Sequence, residues 1–569
     1  MNRSSALRSG VFLSLSLLSA LVAAGQPPKL ILQITVDQLR GDLPTRYYDR
    51  LGEGGFKYLW EKGIVYKDAH HSHANTETIV GHATLATGAY PSVHGMVGNL
   101  WFDRARKRTV YNIEDANYHL LTPGGGVSAS AEIDYTQAVA QSDGRSPNAI
   151  LTTTFSDELR AYSNGRSKVF GVSVKDRGAV SLAGHAGKAF WFSKTTGDFV
   201  TSSYYYDQYP EWVEDWNAKN LAQQYAEQHW ELLKPKDTYL FAQSDDRAWE
   251  TDLAGFGRIF PHPYGLAEGK YFNTLLTISP AGDDLTLDFA KTLLLEEKLG
   301  KGAVTDYLAV SFSSTDYVGH IFGPSSLEAE DNILRLDRSL AALFKLIDEE
   351  VGLKNTLIVL SSDHGGPDTP GYLQMHNIPA GYVDPSLWEQ DAAIERVKKR
   401  FNIKKKLVEK FEHPYIYFTD SVIDDRTINL RAVEQALAAE FQKFEGVAFA
   451  VSSRALAEDG VPVTPLMQRL RNNYHPDRSG QIYLVYEPNW YVNRFDGLTV
   501  ASTHGSPWSY DTFVPIVFAG GNIKPQVVLR RVYTVDVATT LAEIAGVKSP
   551  SGAVGVILPE VAEASLESQ

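Results

Sequence analysis

The 569-residue sequence predicts an α/β fold, with a mostly parallel central sheet sandwiched by helices and with large cap insertions. Three observations predict it. Short, near-continuous aliphatic runs recur, and such runs suit strands buried on both faces of a parallel sheet. Helical stripes lie between the runs, as strand–helix alternation requires. Carboxylates follow the runs, at the place where open α/β sheets bind ligands.

The elements follow in order. Arg3 and Arg8 precede an apolar run from Val11 to Val22, then Ala23, Ala24 and Gly25. A basic start, a short apolar stretch and small residues predict a signal peptide over 1–25. The run is shorter than the roughly 20 residues that span a bilayer. The expectation is a soluble exported protein, periplasmic or secreted, with no membrane span and with residues 26–569 as one catalytic domain. KLILQITV (Lys29–Val36) is the first strand and runs into Asp37. HANTETIVGHATLATGAY (His73–Tyr90) enters a helix near Thr78. KVFGVSV (Lys168–Val174) is a strand followed by Lys175, Asp176 and Arg177. In an extended segment Lys175 and Arg177 point the same way. DYLAVSF (Asp306–Phe312) leads to Asp316, and TLIVL (Thr356–Leu360) to Asp363 and His364. Between them Ile333, Leu336, Leu340, Leu343 and Ile347 form one helical stripe. Two insertions, at about 185–301 and 367–500, are rich in Tyr and Trp and cap the sheet; Tyr204, Tyr205, Tyr206 and Trp212 are expected to pack.

Composition narrows the chemistry. Hydrophobic residues make up 43% and charged residues 21%, ordinary for a globular chain. No cysteine is present, which excludes disulfides, thiolate ligands and a cysteine nucleophile. A net charge of −14 without a long basic stripe gives no nucleic-acid footprint. The one basic run, Lys398–Lys410, reads as a solvated face. An acidic chain repels phosphates at range, so a phosphate site must supply its own positive charge.

Six residues form a candidate metal constellation: Asp37, Asp316, His320, Asp363, His364 and His504. Asp316 and His320 in STDYVGH share a helix face at i and i+4. Asp363 and His364 in SSDHGG reach one ion only from a turn, which Gly365 and Gly366 permit. Oxygen and imidazole ligands suit zinc. Six ligands divide into two sets of three, and two ions roughly 4 Å apart clamp the attacking and leaving oxygens of an in-line displacement. His70, His71, His82 and His185 are expected to be core or capping groups.

A hydroxyl at the start of the helix near Thr78 meets backbone N–H groups and the positive dipole end, where an anion binds. Metal coordination would activate it as a nucleophile. Thr76 is the rival, and spacing alone does not separate the two. Lys175 and Arg177 supply the local positive charge, and Asn99 in GMVGNLWFD one further hydrogen bond.

These segments resemble the alkaline-phosphatase superfamily, in its PafA-like branch of phosphate-irrepressible alkaline phosphatases. The resemblance is carried by ITVDQLRGD, NTETIVGHATLATG, HGMVGNLWFD, VSVKDRGAV, STDYVGH, SSDHGG and THGSPWSYDTFVPIVFAGG, from about Lys29 to Glu560. It implies two Zn2+ per chain, one held by Asp316, His320 and His504, the other by Asp37, Asp363 and His364 with Thr78. It selects Thr78 over Thr76 and makes Asn99, Lys175 and Arg177 the phosphate contacts. The implied activity is hydrolysis of small phosphate monoesters through a phosphothreonine, by a monomer or weak oligomer. A diester hydrolase of the nucleotide pyrophosphatase type is the alternative; its transferred group carries one charge fewer, so the Lys–Arg clamp favours monoesters. A sulfatase needs a C/S-x-P-x-R motif, which is missing. A metal-loaded binding module would lack an activatable hydroxyl beside the ions.

Overall fold

In the computed structural model the described residues are 27–566, apart from 129, 385–387, 389–391, 459 and 496–497. The expected signal peptide lies outside the described residues. The main sheet has nine strands: β1 (Leu30–Val36), β2 (Ile64–His70), β3 (Val169–Ser173), β4 (Lys188–Phe192), β5 (Phe199–Val200), β6 (Asp306–Phe312), β7 (Thr356–Ser361), β8 (Ile516–Gly520) and β9 (Gln526–Tyr533). Their order is β9-β2-β8-β7-β1-β6-β3-β4-β5. The block β7-β1-β6-β3-β4 is parallel throughout, whereas β8 and β5 run antiparallel to their neighbours.

Central strand β1 explains the layering. Leu30, Leu32, Ile34 and Val36 enter one apolar cluster with Leu336, Leu340 and Ile347 of the long helix α4 (Leu327–Glu350). Ile31, pointing to the other face, joins Val537 and Leu541. A strand apolar on both faces must be covered on both, and helices cover it. The mostly parallel sheet between helices is therefore the architecture expected from the apolar runs.

Register then sets the site. Val36 lies opposite Phe312, Thr35 opposite Ser361, and Ser311 opposite Ser173. The carboxyl ends of β7, β1, β6 and β3 are thus level. Asp363, Asp37, Asp316 and Lys175 emerge in that order along one edge.

The stretch 185–301, expected as a cap insertion, in part belongs to the main sheet as β4 and β5, because its aromatic residues join the main core: Phe199 stacks on Phe289 at 4.2 Å and Trp216 meets Phe199 edge-on, in one apolar cluster with Leu30 and Leu32. Residues 408–486 contain a four-stranded antiparallel sheet with its own apolar cluster around Trp388, Phe418 and Phe441. The basic run splits between the helix Ala392–Arg400 and the strand Val408–Glu412, with Lys398 paired to Glu395 and Lys405 to Asp425. Among the described residues no helix is long and apolar enough to cross a membrane.

Candidate metal centre and nucleophile

The candidate ligands gather at the carboxyl ends of the strands, from a strand end, a helix start and two loops. Asp37 follows β1 directly. Asp316 and His320 lie on one face of helix α3 (Ser314–Phe322), with His320 Nε2 3.3 Å from Asp316 Oδ1. Asp363 and His364 occupy irregular backbone after β7, the turn that two adjacent ligands need. His504 comes from a loop, and its Nε2 also lies 3.3 Å from Asp316 Oδ1. His364 Nε2 is 3.5 Å from Asp37 Oδ1 and 3.3 Å from Asp363 Oδ2. Two groups of mutually close donor atoms result, Asp316–His364–His504 and Asp37–Asp363–His364, with the His364 and His504 rings stacked at 3.6 Å. His364 thus falls within reach of both groups, and His320, which lies against Asp316 and the His504 ring, falls in neither.

The tautomers fit metal ligation. His320 Nδ1 bonds the Ser502 carbonyl, His364 Nδ1 that of Gly365 and His504 Nδ1 that of Thr76. A carbonyl only accepts, so each Nδ1 carries the hydrogen and each Nε2 presents a lone pair. Those lone pairs face carboxylates. Asp37 Oδ1, Asp363 Oδ2 and His364 Nε2 are buried and make no hydrogen bond. Acceptors crowded against acceptors in a dry site repel unless cations lie among them. Burial, then the Asp363 charge, pushes the Asp37 carboxyl well above its ordinary range, and burial drives His364 well below its own. The donor set of imidazole nitrogens and carboxylate oxygens therefore fits divalent cations.

The hydroxyl and the cations converge on the same place. Thr78 opens helix α1 (Thr78–Thr87), and its Oγ1 accepts a hydrogen bond from Arg177 Nη2 at 3.3 Å. Thr76 is committed elsewhere: its hydroxyl donates to the Ser506 carbonyl and its carbonyl takes His504. Asn99 Oδ1 accepts the Ile79 N–H at 3.1 Å, which holds its side chain at the start of α1. Lys175 Nζ sits 2.8 Å from Asp37 Oδ2 and also pairs with Asp316. The expectation of an extended Lys175–Arg177 segment needs correction. Lys175 is the N-cap of helix α2 (Asp176–Ala183) and Arg177 lies in its first turn. Strand β3 ends sooner than its apolar run, because the chain must turn at the sheet edge. The two cations reach the site from a helix start, not by strand alternation.

Several contributing residues escaped the sequence reading. Gln38 holds both carboxylates, its Nε2 donating to Asp316 Oδ1 at 3.0 Å and its backbone N–H to Asp363 Oδ1 at 3.1 Å. His82 was expected to be structural, and it does bond the Thr78 carbonyl and the Ser311 hydroxyl, yet its Nδ1 also lies 3.1 Å from Asp363 Oδ2. Asp134 grips Arg177 Nη1 at 2.6 Å, and burial, outweighed by Arg177 and Lys194, leaves its carboxyl below the ordinary range. Its spacing from the motifs carries no signal. For Gln38 the signal was its place beside Asp37, and for His82 its place one turn after Thr78. His70, His71 and His185 each find ordinary partners in Asp68 and Thr512, Ser362 and Thr534, and Asp157 and Ile150. A cavity of about 80 Å³ opens onto Asn99, Arg177, Asp316, His320 and His504.

Comparison with known proteins agrees with this geometry. Residues 31–507 match the family described as Type I phosphodiesterase / nucleotide pyrophosphatase. The chain is 35% identical to alkaline phosphatase PafA of Elizabethkingia meningoseptica over 94% of either chain. It is 34% identical to alkaline phosphatase PhoV of Synechococcus elongatus, over 94% of this chain and 93% of that one. The crystal structure of wild-type alkaline phosphatase PafA superposes with a TM-score of 0.85 at 34% identity, covering 94% of this chain and 99% of that one. The chain belongs to the Type I phosphodiesterase / nucleotide pyrophosphatase family, in its PafA-like alkaline phosphatase branch.

Proposed function

We propose that this protein is an exported alkaline phosphatase that hydrolyses phosphate monoesters through a phosphothreonine at Thr78, with two zinc ions. The observation that carries the reading is the row of strand ends at which two buried carboxylate–histidine groups, one hydroxyl and two cations meet. Asp37, Asp363 and His364 would hold one ion beside Thr78, and Asp316, His320 and His504 the other. Such ions, when bound, stabilise the attacking and the leaving oxygen as Lewis acids.

The chain's own residues do the rest. Helix α1 aims its N-terminus at the phosphoryl group. Arg177, Lys175 and Asn99 hold the non-bridging oxygens, where preorganised donors act in a water-poor site. Thr78 Oγ1 bonds phosphorus as the ester oxygen leaves with its electron pair, and water then cleaves the phosphothreonine to phosphate. Charge supports a monoester. Three ligand carboxylates and two divalent ions leave one positive charge. Lys175 and Arg177 add two more positive charges and Asp134 offsets one, a surplus that favours a phosphate dianion over the monoanion of a diester. Export rests on the basic and apolar order of residues 1–25.

The test is Thr78→Ala, assayed with p-nitrophenyl phosphate and its bis ester alongside metal analysis. Turnover should vanish while about two zinc ions per chain remain bound. Near-wild-type turnover refutes the nucleophile, and a wild-type preference for the bis ester refutes the monoester reading.

A further inference from the structure

The cavity wall has two unlike parts. Arg177, Asn99 and Asp134 gather near Thr78. A second part of the wall is built on His320. Its carbonyl accepts the N–H of Ala501 and of Ser502, which brings the neighbouring Val500 beside it. The hydroxyl of Tyr491 donates to the Ala501 carbonyl, so the Tyr491 ring and Val492 lie along the same segment. Ile321 follows His320 on helix α3, so Ile321, Tyr491, Val492 and Val500 form an apolar stretch of the cavity wall beside His320, while Ile133 adjoins Asp134 and the polar Glu77, His413 and Thr503 line the cavity elsewhere. Arg177 is the one Lys or Arg among the described residues lining the cavity and is held by Asp134, and Lys175, just behind the wall, is held by Asp37 and Asp316, so neither cation lies in the apolar stretch beside His320.

Direction turns this asymmetry into specificity. An in-line displacement requires the leaving oxygen to depart opposite the nucleophile. Helix α1 packs its Gly81 face on the Asp363 backbone, and His82, which bonds the Thr78 carbonyl, lies 3.1 Å from Asp363 Oδ2, so Thr78 stands on the Asp363 side of the site. The leaving group then departs past Asp316 and His504 toward His320, onto the apolar stretch. A hydrophobic wall rewards apolar surface and offers a charged leaving group no counter-charge.

Resting on the reading of Thr78 as nucleophile, we propose that Ile321, Tyr491, Val492 and Val500 form a leaving-group pocket that selects monoesters of flat, uncharged alcohols. Phenols, benzylic alcohols and nucleosides have that chemistry. Small or anionic alcohols do not.

The test compares kcat/KM for benzyl phosphate, methyl phosphate and 2-phosphoglycolate on one preparation. Benzyl alcohol and methanol have similar acidity, so their ratio reports contact rather than intrinsic reactivity. A ring in an apolar pocket should favour benzyl phosphate by about tenfold or more, with 2-phosphoglycolate the poorest of the three. Val500→Thr and Val492→Thr keep side-chain shape and add a hydroxyl, and each should reduce the benzyl-to-methyl ratio severalfold. A ratio on one preparation is independent of the fraction of active enzyme, so partial misfolding does not mimic the result. Equal benzyl and methyl values in the wild type overturn the pocket, as does a ratio that survives both substitutions. So does 2-phosphoglycolate matching benzyl phosphate. Those outcomes leave the phosphatase reading standing. Absence of turnover on all three esters removes the phosphatase reading and the pocket with it.

Discussion

Gly81→Ala offers a sharp test of how Thr78, the proposed nucleophile, is held. Gly81 lies on helix α1, three residues after Thr78, and a Cβ there would stand 1.8 Å from the Asp363 carbonyl oxygen and 2.6 Å from its Cα. Real Cβ atoms essentially never come closer than 3.0 Å to a neighbour, so helix and loop must part by about 1.2 Å. The loop cannot yield readily. Asp363 continues the central strand β7, and Gln38 holds its side chain. The helix moves instead and takes Thr78 away from the ligand group. A misplacement of about 1 Å at a reacting atom costs on the order of 10²-fold in rate. Overpacking costs about 1–3 kcal/mol of stability, which a large domain survives. Gly81→Ala should therefore melt cooperatively, bind zinc, and lose about a hundredfold in kcat/KM for p-nitrophenyl phosphate. Gly302→Ala is the control, since its nearest neighbour, the Val304 nitrogen, is 4.0 Å from the added carbon. A Gly81→Ala enzyme within threefold of the control would show that contact between α1 and the Asp363 loop does not position Thr78.

Three further outcomes follow from the same geometry. Gln38→Leu removes the bond to Asp316 but keeps the backbone bond to Asp363. Chelator competition should show one ion weakened by about 10–100-fold and the other unchanged; equal weakening of both contradicts it. Exhaustive EDTA treatment should abolish turnover and zinc restore it, with full activity at verified zero metal the opposing result. Burial raises the Asp511 carboxyl to about 8 against an ordinary 3.8, so the folded state binds the extra proton between those values. Stability at that group therefore declines as pH rises from about 4 to about 8. Asp511→Asn should flatten the fall in Tm between pH 5 and pH 9, and a profile parallel to wild type rules this out.

How far the sequence reaches is plain from particular residues. Leu30–Val36, Asp306–Phe312 and Thr356–Ser361 are strands because aliphatic and β-branched residues fill consecutive positions, a local property written in the chain. Asp316 and His320 share a helix face for an equally local reason. The seven motifs named the family because side chains of fixed chemistry recur in fixed order. Tertiary structure decided what no local pattern encodes. The register of β7, β1, β6 and β3 makes four strand ends level, and that alone turns scattered acids into two groups. Backbone carbonyls at 76, 365 and 502 fix the three histidine tautomers. Arg177 arrives on a helix rather than a strand, with Asp134 beside it from a segment more than forty residues earlier. Periodicity reports which face of an element is apolar; it carries no record of which distant partner completes a polar site, because that partner is chosen by the packing of the whole chain.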